Sequence, residues 1–307
     1  MTRSWFLAFL LVSSTARLCT PGAFGQAAAP PADKQAPPEE VVLPTKDGVQ
    51  LAATYLPSSK GKDAVTIILL HMFEGNRHDV EGLGALLQQK GHAVIMPDLR
   101  GHGDSKTVTG LSRPLEAKTM PPNQFGLMVE NDLETVKRFL VEKNNASQLN
   151  IEKLCIVAAE MSVPVAAAWT VRDWSWPVLP ALKQGQDVKA LVLLSPRVAF
   201  KTLNAAQAFS NPKSPLRDKI SILFVSGAED VESTREAKRL YEQLQRVRPK
   251  PEKIEDATLF LEDTLKTKLE GTKLLGEPSL NVATLIDQFI ELRLTKQLYP
   301  WRDRKQP

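Results

Sequence analysis

Leu154-Cys155-Ile156-Val157-Ala158-Ala159-Glu160-Met161-Ser162, followed shortly by Val165-Ala166-Ala167-Ala168-Trp169, is the stretch from which the fold is read. Its first six residues are an uninterrupted apolar run, as expected of a strand buried on both faces of a sheet. The run stops at Glu160, and residues suited to a helix follow almost at once. The stretch reads as strand, sharp turn, helix.

On its N-terminal side, Gln124–Glu142 places Leu127, Val129, Leu133, Val136, Phe139 and Leu140 on one helical face. Before it come two buried strands, Ala64–His71 and His92–Pro97. Between them, Asp79–Lys90 has helical apolar spacing (Val80, Leu83, Leu86, Leu87) and ends at Gly91, a natural C-cap. Farther out, Val41-Val42-Leu43 and Val49–Leu56 flank the turn Lys46-Asp47-Gly48, which predicts an antiparallel hairpin. On the C-terminal side, Val188–Leu194, Ile220–Val225 and Ala257–Leu261 read as strands, and Glu232–Val247 and Leu280–Leu294 as helices. Strands alternating with helices imply parallel βαβ units in a doubly wound α/β sheet.

Length and composition agree: 307 residues, 43% hydrophobic and 24% charged, suit one large α/β domain or two small ones. A net charge of +4 with no concentrated basic stripe argues against a nucleic-acid partner. Arg3 precedes the apolar run Trp5–Val12, which is well short of the roughly 20 residues that span a bilayer. Residues 1–25 therefore read as a secretory signal, with Ala23-Phe24-Gly25 placing small residues before a cleavage at Gln26, an uncleaved membrane anchor being the alternative. The expected location is secreted or periplasmic, with no transmembrane domain after cleavage. Cys19 would leave with the signal and Cys155 would remain alone, so no intrachain disulfide is expected. Residues 26–40, rich in Ala, Pro and charge, read as a disordered spacer. The domain is expected over 41–297, and 298–307 is a basic tail carrying Arg302, Arg304 and Lys305.

Four segments, in order, resemble the α/β-hydrolase superfamily over essentially all of residues 41–297. Leu69-Leu70-His71-Met72 is similar to that family's His-Gly segment. Asp98-Leu99-Arg100-Gly101-His102-Gly103-Asp104-Ser105 resembles its Asp-x-Arg-Gly-x-Gly-x-Ser loop and is the most specific match. Ala158–Ser162 resembles the Gly-x-Ser-x-Gly nucleophile elbow, and Val225-Ser226-Gly227-Ala228-Glu229-Asp230 the strand end bearing the catalytic acid. The resemblance implies an α/β-hydrolase fold: a mostly parallel, doubly wound sheet with an N-terminal antiparallel hairpin. The short segment Arg197–Lys219 leaves only a minimal lid.

The same resemblance implies a catalytic constellation that this chain fills unconventionally. Glu160 stands at the nucleophile position. Asp230 stands at the acid position, with Glu229 as its neighbour and a helix cap as its other reading. The oxyanion-hole donors would be the backbone N–H of Met161 and that of Met72 or Phe73. The histidine belongs between Glu262 and Pro278, where none occurs; Glu270-Gly271 is the best counterpart. Only His71, His78, His92 and His102 exist, the first and last expected to make structural hydrogen bonds and the other two expected at the surface or beside helices. Relatives with an aspartate nucleophile form an ester intermediate, but their histidine then activates the hydrolytic water. Ser162 occupies the elbow's glycine position, where local hydrogen bonding at the helix N-terminus is expected. If Glu160, Asp230 and Glu270 converge, either a metal or amine cation lies among them or they form a hydrogen-bonded, partly protonated cluster. Trp174 and Trp176 are expected to pack rather than line a pocket. No cofactor and no metal are assigned, a small-molecule ligand is the expected partner, and a protein partner is left unspecified. The reading is an exported, degenerate, non-catalytic protein that binds a ligand or serves a structural role; the alternative is an active hydrolase of carboxylic-ester substrates working through Glu160.

Overall fold

The computed structural model describes residues 35–177, 179 and 183–304. The expected signal (1–25), residues 26–34 of the spacer and residues 305–307 of the tail lie outside them. Strands β1 (Glu39–Pro44) and β2 (Gln50–Leu56) form the expected hairpin, pairing antiparallel with Val42 opposite Ala52. There follow β3 (Val65–Leu70), α1 (Glu81–Gln89), β4 (Ala93–Pro97), α2 (Asn123–Leu127), α3 (Leu133–Asn145), β5 (Asn150–Ala159) and α4 (Ser162–Ser175). The C-terminal half adds β6 (Val188–Leu194), a two-stranded cap of β7 (Ala199–Phe200) and β8 (Leu203–Asn204), and α5 (Ala206–Ser210). It ends with β9 (Ser221–Gly227), α6 (Val231–Gln245), β10 (Leu259–Leu265) and α7 (Val282–Ile290).

The main sheet runs β1-β2-β4-β3-β5-β6-β9-β10. β2 is antiparallel to both of its neighbours, and every pairing from β4 to β10 is parallel. β5 lies in the middle, with Ile156 opposite Ile68 on one side and Leu191 on the other. Its side chains alternate between two cores: Leu154, Ile156 and Ala158 join the cluster on one face, and Cys155, Val157 and Ala159 the cluster on the other. Burial on both faces is why this strand has no polar alternation in sequence.

The helix expected over Gln124–Glu142 is interrupted. A π-turn at Met128–Asp132 separates α2 from α3, and its extra residue turns Met128 and Asp132 inward while Leu127 and Val129 stay half-buried. The turn thereby delivers the Asp132 carboxylate to the glycine-rich loop. There the Arg100 backbone N–H, Nε and Nη2 all donate to Asp132, at 3.1, 2.9 and 2.7 Å. The remaining donors of Arg100 reach Asp47 and Gln124. Asp98, at the head of the loop, accepts from the Arg77 guanidinium, the Arg77 backbone N–H (2.6 Å) and the Asp104 N–H (2.9 Å). Ser105 Oγ donates to the Asp98 carbonyl and accepts from Ala52 N–H, tying the hairpin to the parallel strands.

Gly103 is held at φ +47°, and a Cβ there would fall inside the Asp98 carboxylate. Gly103→Ala is therefore expected to lower stability by about 2–3 kcal/mol, combining left-handed strain with displacement of a fixed group. The shift in urea midpoint would measure it, and an unchanged midpoint would refute this account of the loop.

His92 flanks the C-terminal end of α1, one of the two placements expected of it, its N–H donating to the Leu87 carbonyl. It is 3% exposed rather than at the surface, because it enters β4 already inside the fold; burial, with help from the Lys60, Lys90 and Lys153 charges, brings its pKa down to about 4. Within the basic tail Arg304 is also buried: its guanidinium binds Glu152 (2.8 Å) and Asp187, and its N–H donates to Asn145 Oδ1. Among the described residues no helix is long and apolar enough to cross a membrane.

Candidate active site

The site forms where parallel strands end. β5 stops at Ala159, and Glu160 takes φ +50°, a conformation an L-residue with a side chain rarely holds. Its N–H donates to the Leu194 carbonyl (3.0 Å), its carbonyl accepts from Val163 N–H (3.1 Å), and α4 begins two residues later. Strand, strained corner and helix N-terminus are thus all present at the expected position. Ser162 lies in the first turn of α4, fully buried; its Oγ accepts from Ala159 N–H and donates to the Ala159 carbonyl. These are the local bonds expected of it.

The Glu160 carboxylate points back toward the loop after β3. Oε2 accepts the Phe73 backbone N–H at 3.3 Å, one of the three candidate oxyanion-hole donors Met72, Phe73 and Met161. The Met161 N–H has no acceptor among the described residues. Glu160 Oε1 lies 3.5 Å from Nε of Arg197, and Nη2 of the same arginine lies 3.4 Å from Glu270 Oε2. Glu160 and Glu270 therefore converge, and the cation between them is a side chain of the protein itself. Asp230 is engaged elsewhere: it caps α6, accepting from the Ser233 N–H and hydroxyl. Among the described residues no group of three or more His, Cys, Asp or Glu side chains is arranged to hold a metal ion.

The acid and histidine segments run side by side, with Ala228 N–H donating to Leu265 O and Glu229 N–H to Thr267 O. Gly271, at φ +56°, donates its N–H to Ser195 Oγ (2.9 Å), and a Cβ there would meet Met72 Sδ at 3.1 Å. Met72 thus packs on the glycine that follows the histidine position. Phe73 packs against Phe200 of β7 with ring centroids 4.9 Å apart and planes tilted by 49°, and the Phe125 ring lies 5.5 Å from that of Phe200. Side chains of the protein fill the space beside the elbow.

Neither nearby histidine is placed as a base. His71 is buried with both nitrogens engaged: Nδ1–H donates to the Met72 carbonyl (2.7 Å), and Nε2 accepts Leu99 N–H (3.0 Å). His102 donates Nδ1–H to the Arg100 carbonyl and packs edge-on against Phe73, its Nε2 unpartnered. Burial lowers both pKa values, with the His71 charge adding to the effect at His102, where the value falls to about 4. His78 is exposed, beside Glu81. Trp174 packs against the core, its Nε1–H donating to the Val188 carbonyl, and also borders a surface cavity with Pro212 and Lys219, while Trp176, expected to pack, is exposed.

Arg197 escaped the sequence reading. It lies three residues past the end of β6, among the strand C-termini that line the site of an open α/β sheet, and that placement was the signal available.

A sequence model of the alpha/beta hydrolase fold family matches residues 65–158. Solved structures of similar shape include an esterase from Pyrococcus furiosus, with 16% identity over 84% of this chain and 91% of that one, and a TM-score of 0.56. A dienelactone hydrolase from Anabaena variabilis has 16% identity over 84% and 99%, also at 0.56. A putative hydrolase from Agrobacterium vitis has 14% identity over 83% and 100%, at 0.56. No curated protein matches in sequence.

Proposed function

Given a chain with the α/β-hydrolase fold, we propose that this one is an exported, non-catalytic relative whose former reaction centre is occupied by its own charged side chains. One observation carries the reading: the carboxylate at the nucleophile position sits on the Phe73 N–H and shares Arg197 with Glu270, which stands where the histidine is expected. Hydrolysis through Glu160 would pass through a mixed anhydride with a carboxylic ester, or an alkyl ester with an alkyl halide or epoxide, and either needs a base to activate water against it. A carboxylate paired with a guanidinium is a poor nucleophile, and an arginine, protonated at any working pH, cannot serve as the base.

The alternative, ester hydrolysis through Glu160, draws support from the φ of +50° at that residue, which is the strain an elbow stores. Residues 26–307 should release p-nitrophenol from short acyl esters at the buffer rate, and Glu160→Ala should leave that rate unchanged. Turnover above background that Glu160→Ala abolishes would establish the alternative. Export rests on the N-terminal apolar run and its small-residue cleavage site. Expression of the full chain should yield a mature protein beginning at Gln26 by intact mass, and retention of Met1 would refute export with cleavage.

A further inference from the structure

We propose that the elbow is a carboxylate-binding site, and that Glu160 is its resident ligand, so that an external carboxylate enters only by exchanging with the Glu160 side chain. The donors around Glu160 are those that recognise a carboxylate. The Phe73 backbone N–H bonds one oxygen, and the Arg197 guanidinium faces the other at 3.5 Å. The positive end of α4, a 14-residue helix, begins immediately beyond. The Met161 N–H at that end has no acceptor among the described residues. The carboxylate is largely enclosed, its side chain 12% exposed, whereas Arg197 and Glu270 are 34% and 33% exposed and form the rim. A tethered carboxylate competes at high effective concentration, so the closed state dominates until a ligand adds contacts of its own. On the donors one carboxylate replaces another, while the displaced Glu160 side chain stays tethered beside the site and adds one negative charge to its rim. The class of ligand is a small carboxylic acid, or a chain ending in a carboxylate.

Removing the resident ligand should expose the site. Glycine is the suitable replacement, because position 160 lies at φ +50° and Gly relieves that strain, so Glu160→Gly should fold. The probe is acetate, titrated against chloride at constant ionic strength, with amide shifts of Phe73 and Met161 in ¹H–¹⁵N spectra as the readout. Glu160→Gly should show saturable shifts at both amides that the wild-type chain lacks over the same range. Adding Arg197→Met should weaken binding by about tenfold, the loss of a charge-assisted hydrogen bond. Glu160→Gln, which keeps an oxygen for the Phe73 N–H, should stay closed to acetate. No saturable shift in Glu160→Gly, or equal binding with and without Arg197, would overturn the proposal. The inference rests on the non-catalytic reading, whose own test is ester turnover; lack of acetate binding leaves that result untouched, so the two failures are distinguishable.

Discussion

Asp132→Ala should lose about 3–5 kcal/mol of stability, the cost typical of breaking a buried ion pair by removing one partner. Arg100 and Asp132 are both fully buried, and three Arg100 donors end on that carboxylate. Without it, the guanidinium keeps Asp47 and Gln124, while Nε and the backbone N–H are left in a dry interior with no acceptor. Asp132→Asn retains one carbonyl acceptor and should lose less. Urea unfolding of the two variants beside wild type measures both effects, and equal midpoints for Asp132→Ala and wild type would remove the ionic anchor from the account.

Mild acid should destabilise the protein before its carboxylates titrate. His92 and His102 have folded pKa values of about 4, chiefly through burial. An unfolded histidine titrates near 6.5, so the folded pKa is the depressed one and the unfolded chain binds protons first. Stability from these groups is complete above about pH 6.5, falls as the pH drops through the window, and stops falling near pH 4. At pH 5 the loss is about 2 kcal/mol for each histidine, or about 4 kcal/mol together. His71, with its pKa lowered by burial, acts in the same direction. Melting temperatures between pH 7 and pH 5 should show the slope, and His92→Gln should flatten it; a flat profile for wild type would contradict the burial of these rings in their neutral form.

The fold was legible because its signals are local and redundant. The apolar run ending at Glu160, the Asp-Gly turn and the glycine-rich loop each fix one element, and the loop's residues bind the hairpin, the π-turn before α3 and the short 3-10 turn Arg77–Val80. The π-turn at Met128–Asp132 was not legible, because one added residue leaves the apolar spacing of Gln124–Glu142 helical to the eye. The depth of His92, beside α1 as expected, was not legible for a similar reason: its burial depends on what covers the start of β4, which no local pattern records.

The site was legible in outline and not in its connections. Glu160 was found at its corner and Glu270 opposite it, while Asp230 took the helix-capping role that its position beside α6 allowed. Three converging acids would have demanded a compensating charge, and sequence alone left its source open between a bound cation and shared protons; only Glu160 and Glu270 meet. Arg197 supplies part of the answer from 37 residues beyond Glu160, a pairing set by the approach of the β5 and β6 ends rather than by any motif.

The central claim is that Glu160 marks the nucleophile position without acting as a nucleophile, and isotope transfer tests it most directly. Ester substrate is incubated with the protein in H₂¹⁸O, and the peptide carrying Glu160 is then weighed by mass spectrometry. The account predicts product release at the buffer rate and an unlabelled Glu160. Release above that rate that Glu160→Ala abolishes would contradict it, and ¹⁸O in the Glu160 carboxylate would show water opening the Glu160 anhydride at the glutamyl carbon.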